Sequence, residues 1–413
     1  MTFGHLFCKI AISYSALTEK IKEIQMNSSD LLIALLRAEL CNDYNSLPDI
    51  PTESRKNVAE SVFELANAHD LAHFIYEPMK KIRLIEDGSE IEAKLKKQQM
   101  LAVFRYKRID HELNALSTFF EDNQIPFVLL KGSIIRKYYE KPWMRTSCDI
   151  DILIKESDFE KAVELIISKL SYKADGEKNY HDISLYSPSG VHLELHFNIN
   201  EGMENLDKVL RRVWDFATPC EPGKFQHVLT PEFFVFHEIA HMAYHFVNGG
   251  CGIRPFMDMH LIKNKVKYNE AELVSLCDEA KLSNFYPSIL RLTSCWFGSG
   301  EKDNLCESMQ NYLILGGVYG TFENKIALAH KKRGGQFKYI LSRIFMPKEQ
   351  LKRKYPILNR QAWLLPFCHI HRWFGVLFGG KLKKSMSEAK MSANISEERA
   401  DETATLMKNI GLY

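Results

Sequence analysis

Residues 127–154, reading FVLLKGSIIRKYYEKPWMRTSCDIDILI, constrain the fold of this chain more than any other stretch. Residues 127–130 are a short apolar run of strand type, closed by Lys131-Gly132-Ser133, and 134–139 then read as one or two helical turns. Residues 149–154 make a second strand whose first half alternates acid and aliphatic. A strand that ends in Gly-Ser and opens a helix leaves backbone N–H groups where a phosphate can sit. Residues two apart on a strand share a face, so Asp149 and Asp151 project together, roughly 7 Å apart at the backbone. Their carboxylates can therefore converge on one hard divalent cation. Each signal also has a plain reading. Gly-Ser after a strand is an ordinary turn, and Asp-x-Asp suits an edge strand facing water. In this order and together, they point to chemistry on a nucleoside triphosphate.

The combination of Lys131-Gly132-Ser133, a following helix, Arg145 and Asp149-Ile150-Asp151 resembles the nucleotidyltransferase superfamily with a polymerase-beta-type palm. More narrowly it resembles the bacterial family of uncharacterised nucleotidyltransferases with the pattern LLKG…Y…R…DIDLLV. The matching residues are Leu129, Leu130, Lys131, Gly132, Tyr138, Arg145, Asp149, Asp151 and Leu153. The resemblance implies an α+β fold, a small mixed palm sheet with helices embedded between N- and C-terminal helical regions. It further implies that Gly132 and Ser133 hold the triphosphate with Lys131 as electrostatic helper. Asp149 and Asp151 would bind Mg²⁺, with Mn²⁺ as the alternative, and a third carboxylate would come from a later strand. Cys148 departs from the family pattern, which has Gly or Ser before the first Asp.

Length and charge set outer bounds. A chain of 413 residues is long enough for two or three domains. We expect an N-terminal helical region over 1–120, the palm over 121–222, a helical domain over 223–345, and an aromatic, basic cap with a polar tail over 346–413. The net charge of +2 creates no global field for nucleic acid, so long nucleic acid is disfavoured as a partner. The nine cysteines are scattered without a CxxC pair, which fits a reducing cytoplasm. No apolar run approaches the roughly 20 residues of a membrane span. The first residues lack a basic n-region and a long apolar run, so no signal peptide is expected; Met26 offers a second candidate start.

Residues 30–120 read as helical throughout, with helices expected over 58–69, 71–79 and 91–123, and serve as scaffold without assigned chemistry. Beyond the second strand, Ser157-Asp158 marks a helix start and 159–170 has helical periodicity. Residues 183–187 form a strand and 191–197 its hairpin partner, with Val191, Leu193, Leu195 and Phe197 facing the core. His192, Glu194 and His196 line the other side, and the resemblance places the third carboxylate at Glu194. A solvent-facing polar stripe would alternate in the same way.

Thr230 followed by Pro231 starts another helix. It contains His237-Glu238-Ile239-Ala240-His241, a match to HExxH, the zinc-hydrolase helix, with His245 one turn on but no downstream third-ligand motif. The resembled family carries His-x3-His on such a helix, then a Gly-rich turn, Gly-x-Arg and an Asp. Here these are His241, His245, Gly249-Gly250, Gly252, Arg254 and Asp258. This implies a helix closing over the triphosphate, with His241 or Arg254 offering charge to pyrophosphate. The plain reading makes the histidines core-rim residues satisfied by Asp258 or backbone. Residues 313–320, LILGGVYG, match another glycine-rich family segment and lack the Gly-Lys-Ser/Thr ending of a P-loop. Residues 355–380 are aromatic and basic. An interfacial membrane helix is one reading; Pro366 in its first half and the family's YP…LLP…R ending favour a hydrophobic cap packed on the helical domain. From Ser385 on, a polar tail with one weak helical stretch is expected.

The expected activity is Mg²⁺-dependent transfer of a nucleoside monophosphate from a nucleoside triphosphate, ATP first, to an unidentified hydroxyl acceptor. The alternatives are a zinc hydrolase on His237-Glu238-x-x-His241 and a catalytically silent nucleotide-binding module.

Overall fold

The computed structural model describes residues 28–413 apart from Leu315 and 379–381. The expectations for the first residues, Met26 included, lie outside this range. The architecture is α+β, a mixed seven-stranded sheet set between helical regions.

Helix α1 covers 28–41, followed by α2 (Arg55–Ala68), α3 (Tyr76–Lys81) and α4 (Glu90–Asp122). The helix expected over 71–79 is shorter and later, because Asp70 adopts φ +52° and residues 71–75 turn before α3 begins. Helix α4 opens where Ser89 caps the backbone N–H of Glu92. Its 33 residues run roughly 50 Å, long enough to serve two cores. Ile91 and Leu95 join a core shared with α1–α3. Ile109, Leu113, Leu116 and Phe120 cover the sheet.

The strands are β1 (Phe127–Leu129), β2 (Asp149–Ile154), β3 (Lys173–Ala174), β4 (Asp182–Tyr186), β5 (His192–His196), β6 (Ala217–Pro219) and β7 (Gln226–Leu229), in the order β3-β4-β5-β2-β1-β7-β6. Strand β2 pairs antiparallel with β1 and parallel with β5, and β5 pairs antiparallel with β4 in the expected hairpin. Helix α6 (Glu156–Leu170) makes the crossover after β2, and α7 (Glu204–Leu210) follows β5. It starts at Glu156, and no side chain caps it, so Ser157-Asp158 lie inside its first turn rather than before it.

Alternation sorts the two faces of the sheet. Ile150, Ile152 and Ile154 of β2, with Leu193 and Leu195 of β5, bury themselves against α4 and α6. The other face carries Asp149 and Asp151 at the head of β2 and then Leu153, which packs into the larger core. The second face is thus polar at its leading end and apolar behind it.

The helical region behind that face begins with α8 (Pro231–Val247), whose N-cap Thr230 accepts from the Phe233 N–H as expected. Apolar residues wrap most of its circumference, and it runs through the core. Helices α9 (Arg254–Lys265), α10 (Glu270–Glu279), α11 (Phe285–Phe297) and α12 (Asn304–Ile314) surround it. Residues of all five share one core with α1–α3, so segments from both sides of the sheet in sequence form a single body. The two glycine-rich segments meet: Thr321 N–H donates to the Gly249 carbonyl at 3.1 Å. A Cβ on Gly320 (φ +70°) would lie 2.2 Å from the Gly249 backbone, so the segment over 313–320 is a backbone junction.

The C-terminal region holds α13 (Phe322–Lys332), α14 (Gln336–Ile344), α15 (Lys348–Lys354), α16 (Leu365–Phe378), α17 (Leu382–Asn394) and α18 (Glu397–Asn409). One expectation is corrected here. Pro366 sits in the first turn of α16, where its missing N–H costs no helical hydrogen bond, so it does not break the segment. In the aromatic stretch, among the described residues, Leu351, Leu358 and Cys368 form a small core of their own, and Trp363 and Phe367 are 68% and 61% exposed. The tail beyond Ser385 contains most of α17 and all of α18, whose Leu406, Met407 and Ile410 join the main core. Among the described residues, no helix is long and apolar enough to cross a membrane.

Candidate functional site

The polar leading end of the sheet faces a cleft of about 570 Å³ between β2, β5 and α8. Parallel pairing sets Asp149 beside His192 and Asp151 beside Glu194. Ligand atoms of Asp149, His192 and Glu194 lie within 4.8 Å of one another, and so do those of Asp151, Glu194 and His196. Glu194 belongs to both groups. Two carboxylates and an imidazole in each fit a divalent cation, and the nitrogen donor makes the set as suitable for Mn²⁺ as for Mg²⁺.

Lys131 occupies the turn between β1 and α5 (Gly132–Ile135) in a left-handed conformation, φ +45°, rare for a residue with a side chain. The turn aims its Nζ at Asp151 Oδ1, 3.1 Å away. His196 Nε2 donates to the same oxygen at 3.1 Å and stands 3.7 Å from Glu194 Oε2. Burial works against the Asp151 anion, but the Lys131 ammonium and the His196 hydrogen bond outweigh it and hold the carboxyl well below its ordinary range. The neighbours respond oppositely. Burial and then the Asp151 charge raise the pKa of Asp149 and of Glu194.

Gly132 lines the cleft, its carbonyl accepting from Arg136 Nε at 2.9 Å. Ser133 does not reach it. The residue lines a separate cavity with Leu129 and Ile134, its hydroxyl oxygen is buried without a hydrogen-bond partner, and its N–H donates to the Leu130 carbonyl at 3.2 Å. The cause is the Lys131 conformation, which starts the helix so that the second residue turns away from the acids. Ser147 stands in the cleft instead, its hydroxyl held by Arg136 Nη2 at 2.8 Å.

Arg145 lines the cleft while its guanidinium is anchored from below. Nε donates to both oxygens of Asp258 at 3.0 Å, and Tyr139 donates to Oδ1 at 2.7 Å. Asp258 is therefore the buried counter-ion of Arg145, does not line the cleft, and satisfies none of the histidines. Arg254 does line the cleft, with its charge met by Asp70 at 2.8 Å. Asp70 also accepts from Thr146 and Arg105. The N-terminal scaffold, to which the sequence assigned no chemistry, thus contributes Asp70 and Arg105 to the lining of the cleft.

On α8, His237, His241, Tyr244 and His245 face the same space. His241 Nδ1 lies 2.7 Å from Glu201 Oε1, and its Nε2 lies 3.0 Å from His245 Nε2. A carboxylate can only accept, so His241 donates through Nδ1 and accepts from His245 through Nε2. Burial foremost, then the Lys131 charge, depresses His241 and keeps it neutral. This arrangement does not suit zinc. Both nitrogens of His241 are engaged, its ring centroid is 6.4 Å from that of His237, and these residues form no metal-competent group among those described. Glu238 points away from water, one oxygen unpartnered, and burial pushes its pKa up to about 8.

Sequence reasoning missed Glu201, Asp70, Arg105 and Ser147. Glu201 sits in a loop five residues past the end of β5 and carried no local signal; His196 was visible in the stripe with Glu194.

No curated protein and no solved structure matches the chain. A family model described as an uncharacterised nucleotidyltransferase matches residues 56–298, more than half of the chain, from α2 through α11. That range holds every cleft acid described above, and the chain belongs to this uncharacterised nucleotidyltransferase family.

Proposed function

We propose that the chain transfers a nucleoside monophosphate from a nucleoside triphosphate, ATP first, to a hydroxyl acceptor, with Asp149, Asp151 and Glu194 holding Mg²⁺ or Mn²⁺. The observation that carries this reading is the pairing of Asp151 with Glu194 across two parallel strands, ligand atoms within 4.8 Å, beside the Lys131-Gly132 turn. The cation, when bound, neutralises phosphate charge and polarises the reacting phosphoryl group. Lys131 and the Gly132 turn bind the phosphates, and Arg145, fixed by Asp258, adds a positioned guanidinium. The acceptor oxygen bonds to the α-phosphorus as the bond to the bridging oxygen of pyrophosphate breaks. His241, held neutral and in one tautomer by Glu201, forms with His245 a chain of exchangeable protons that takes up the acceptor's proton. The palm of 121–222 performs this step between the helical regions that precede and follow it, and positioning supplies much of the rate.

The test uses purified protein, labelled triphosphates and Mg²⁺ or Mn²⁺, following release of pyrophosphate. Asp151→Asn should abolish release while calorimetry finds the fold intact. Full metal-dependent activity in that variant would sink the assignment.

A further inference from the structure

The C-terminal charge distribution departs from that of the rest of the chain. Residues 331–384 hold fourteen Lys and Arg and one acid, Glu349. This segment therefore carries +13 in a chain of net +2, leaving −11 for everything else. The same positions hold nine of the nineteen large apolar side chains that stand exposed among the described residues. They fall in helical stripes. Phe337, Leu341 and Ile344 recur along one side of α14, and Phe367 and Ile370 along α16 behind Trp363. The two helices touch: Phe345 meets the Trp373 ring at 5.5 Å, and Trp373 Nε1 donates to the Ile344 carbonyl at 2.9 Å.

We propose that this face docks on an anionic lipid bilayer surface, the aromatic and aliphatic side chains entering the headgroup–acyl boundary and the basic residues meeting lipid phosphates. Apolar stripes rimmed by Lys and Arg, with Trp and Phe at the edge, are the physical requirements for lying in that boundary. Self-association through this face would set two strongly basic segments against each other. Single-stranded nucleic acid would use the charge and stack on the rings, but leaves Leu341, Ile344, Ile357 and Ile370 in water. A bilayer accommodates both. Docking is independent of the chemistry in the cleft.

The experiment is co-sedimentation of the full chain with vesicles of phosphatidylcholine alone and of phosphatidylcholine mixed with phosphatidylserine, at low and high salt. Binding is expected to the mixed vesicles, weakened by salt. Phe337→Gln, Trp363→Gln and Phe367→Gln together touch no core and should reduce it on the order of tenfold or more. Reversing Lys338, Lys354 and Arg360 to Glu should weaken it about fivefold per residue. Equal binding to both vesicle types, undiminished binding by the triple aromatic variant, or no vesicle binding with retained binding of single-stranded RNA overturns the proposal. A stable dimer that the aromatic substitutions dissociate overturns it as well.

Discussion

Glu238 offers a direct test of the electrostatics beneath the cleft. Its carboxyl is buried in α8 with an unpartnered oxygen. Burial foremost, and then the Asp258 charge, raises its pKa from 4.5 to about 8. Between those values the folded chain binds a proton that the unfolded chain has released, so stability falls as pH rises through this window. The full separation, at about 1.4 kcal/mol per pH unit, makes the penalty about 1 kcal/mol at pH 5 and about 3 kcal/mol at pH 7. Glu238→Gln keeps the shape and removes the titration. The stability difference, variant minus wild type, should therefore grow by about 2 kcal/mol from pH 5 to pH 7. A chain of this size loses on the order of 0.9 kcal/mol/K of entropy on folding, so the gap in melting temperature should widen by roughly 2 to 3 °C. Calorimetry of both proteins in chelator, across this pH range, measures it. His73 and His245, lowered chiefly by burial to about 4 and about 3, titrate alike in both proteins and cancel. A gap that stays constant with pH would refute the reasoning, because it would mean that Glu238 is ionised in the folded protein throughout.

Asp258→Ala removes the counter-ion of a buried guanidinium and the acceptor of Tyr139; thermal and urea unfolding should register a loss of about 3 to 5 kcal/mol. Gly320→Ala places a Cβ 2.2 Å from the Gly249 backbone at φ +70° and should lower the melting temperature by several degrees. Gly88→Ala, also at positive φ but with open space around it, should cost only about 1 kcal/mol, the conformational part alone. Glu201→Ala removes the acceptor that fixes the His241 tautomer; under the proposed mechanism, pyrophosphate release should drop by about 10² to 10⁴-fold with little change in KM for the triphosphate.

What the sequence disclosed and what it withheld follow from the range of the interactions. Strand β2 starts and ends where 149–154 was expected, because acid–aliphatic alternation is a local signal with period two. The same periodicity set Glu194 and His196 on the face of the acids, and only the choice of parallel register remained for the fold to make. The Thr230-Pro231 start of α8 was legible for the same reason, since a cap and a proline act within one turn. Ser133, two residues past Lys131, lies off the cleft. The orientation of its hydroxyl depends on a positive φ at Lys131, which a lysine does not announce. Glu201, Asp70 and Asp258 were invisible or misread because each acts on a partner far away in the chain: His241, Arg254 and Arg145. Charge pairing across such separations leaves no periodic trace. The HExxH match shows the converse. Its spacing satisfies a local pattern, yet Glu201 and His245 claim both nitrogens of His241. The cleft takes Asp149, Asp151 and Glu194 from β2 and β5, Asp70 and Glu201 from loops, and its counter-charges from the β1 turn, Arg145, α4 and α9. Its charge balance is a property of tertiary packing, and periodicity could supply only the acids of the strands.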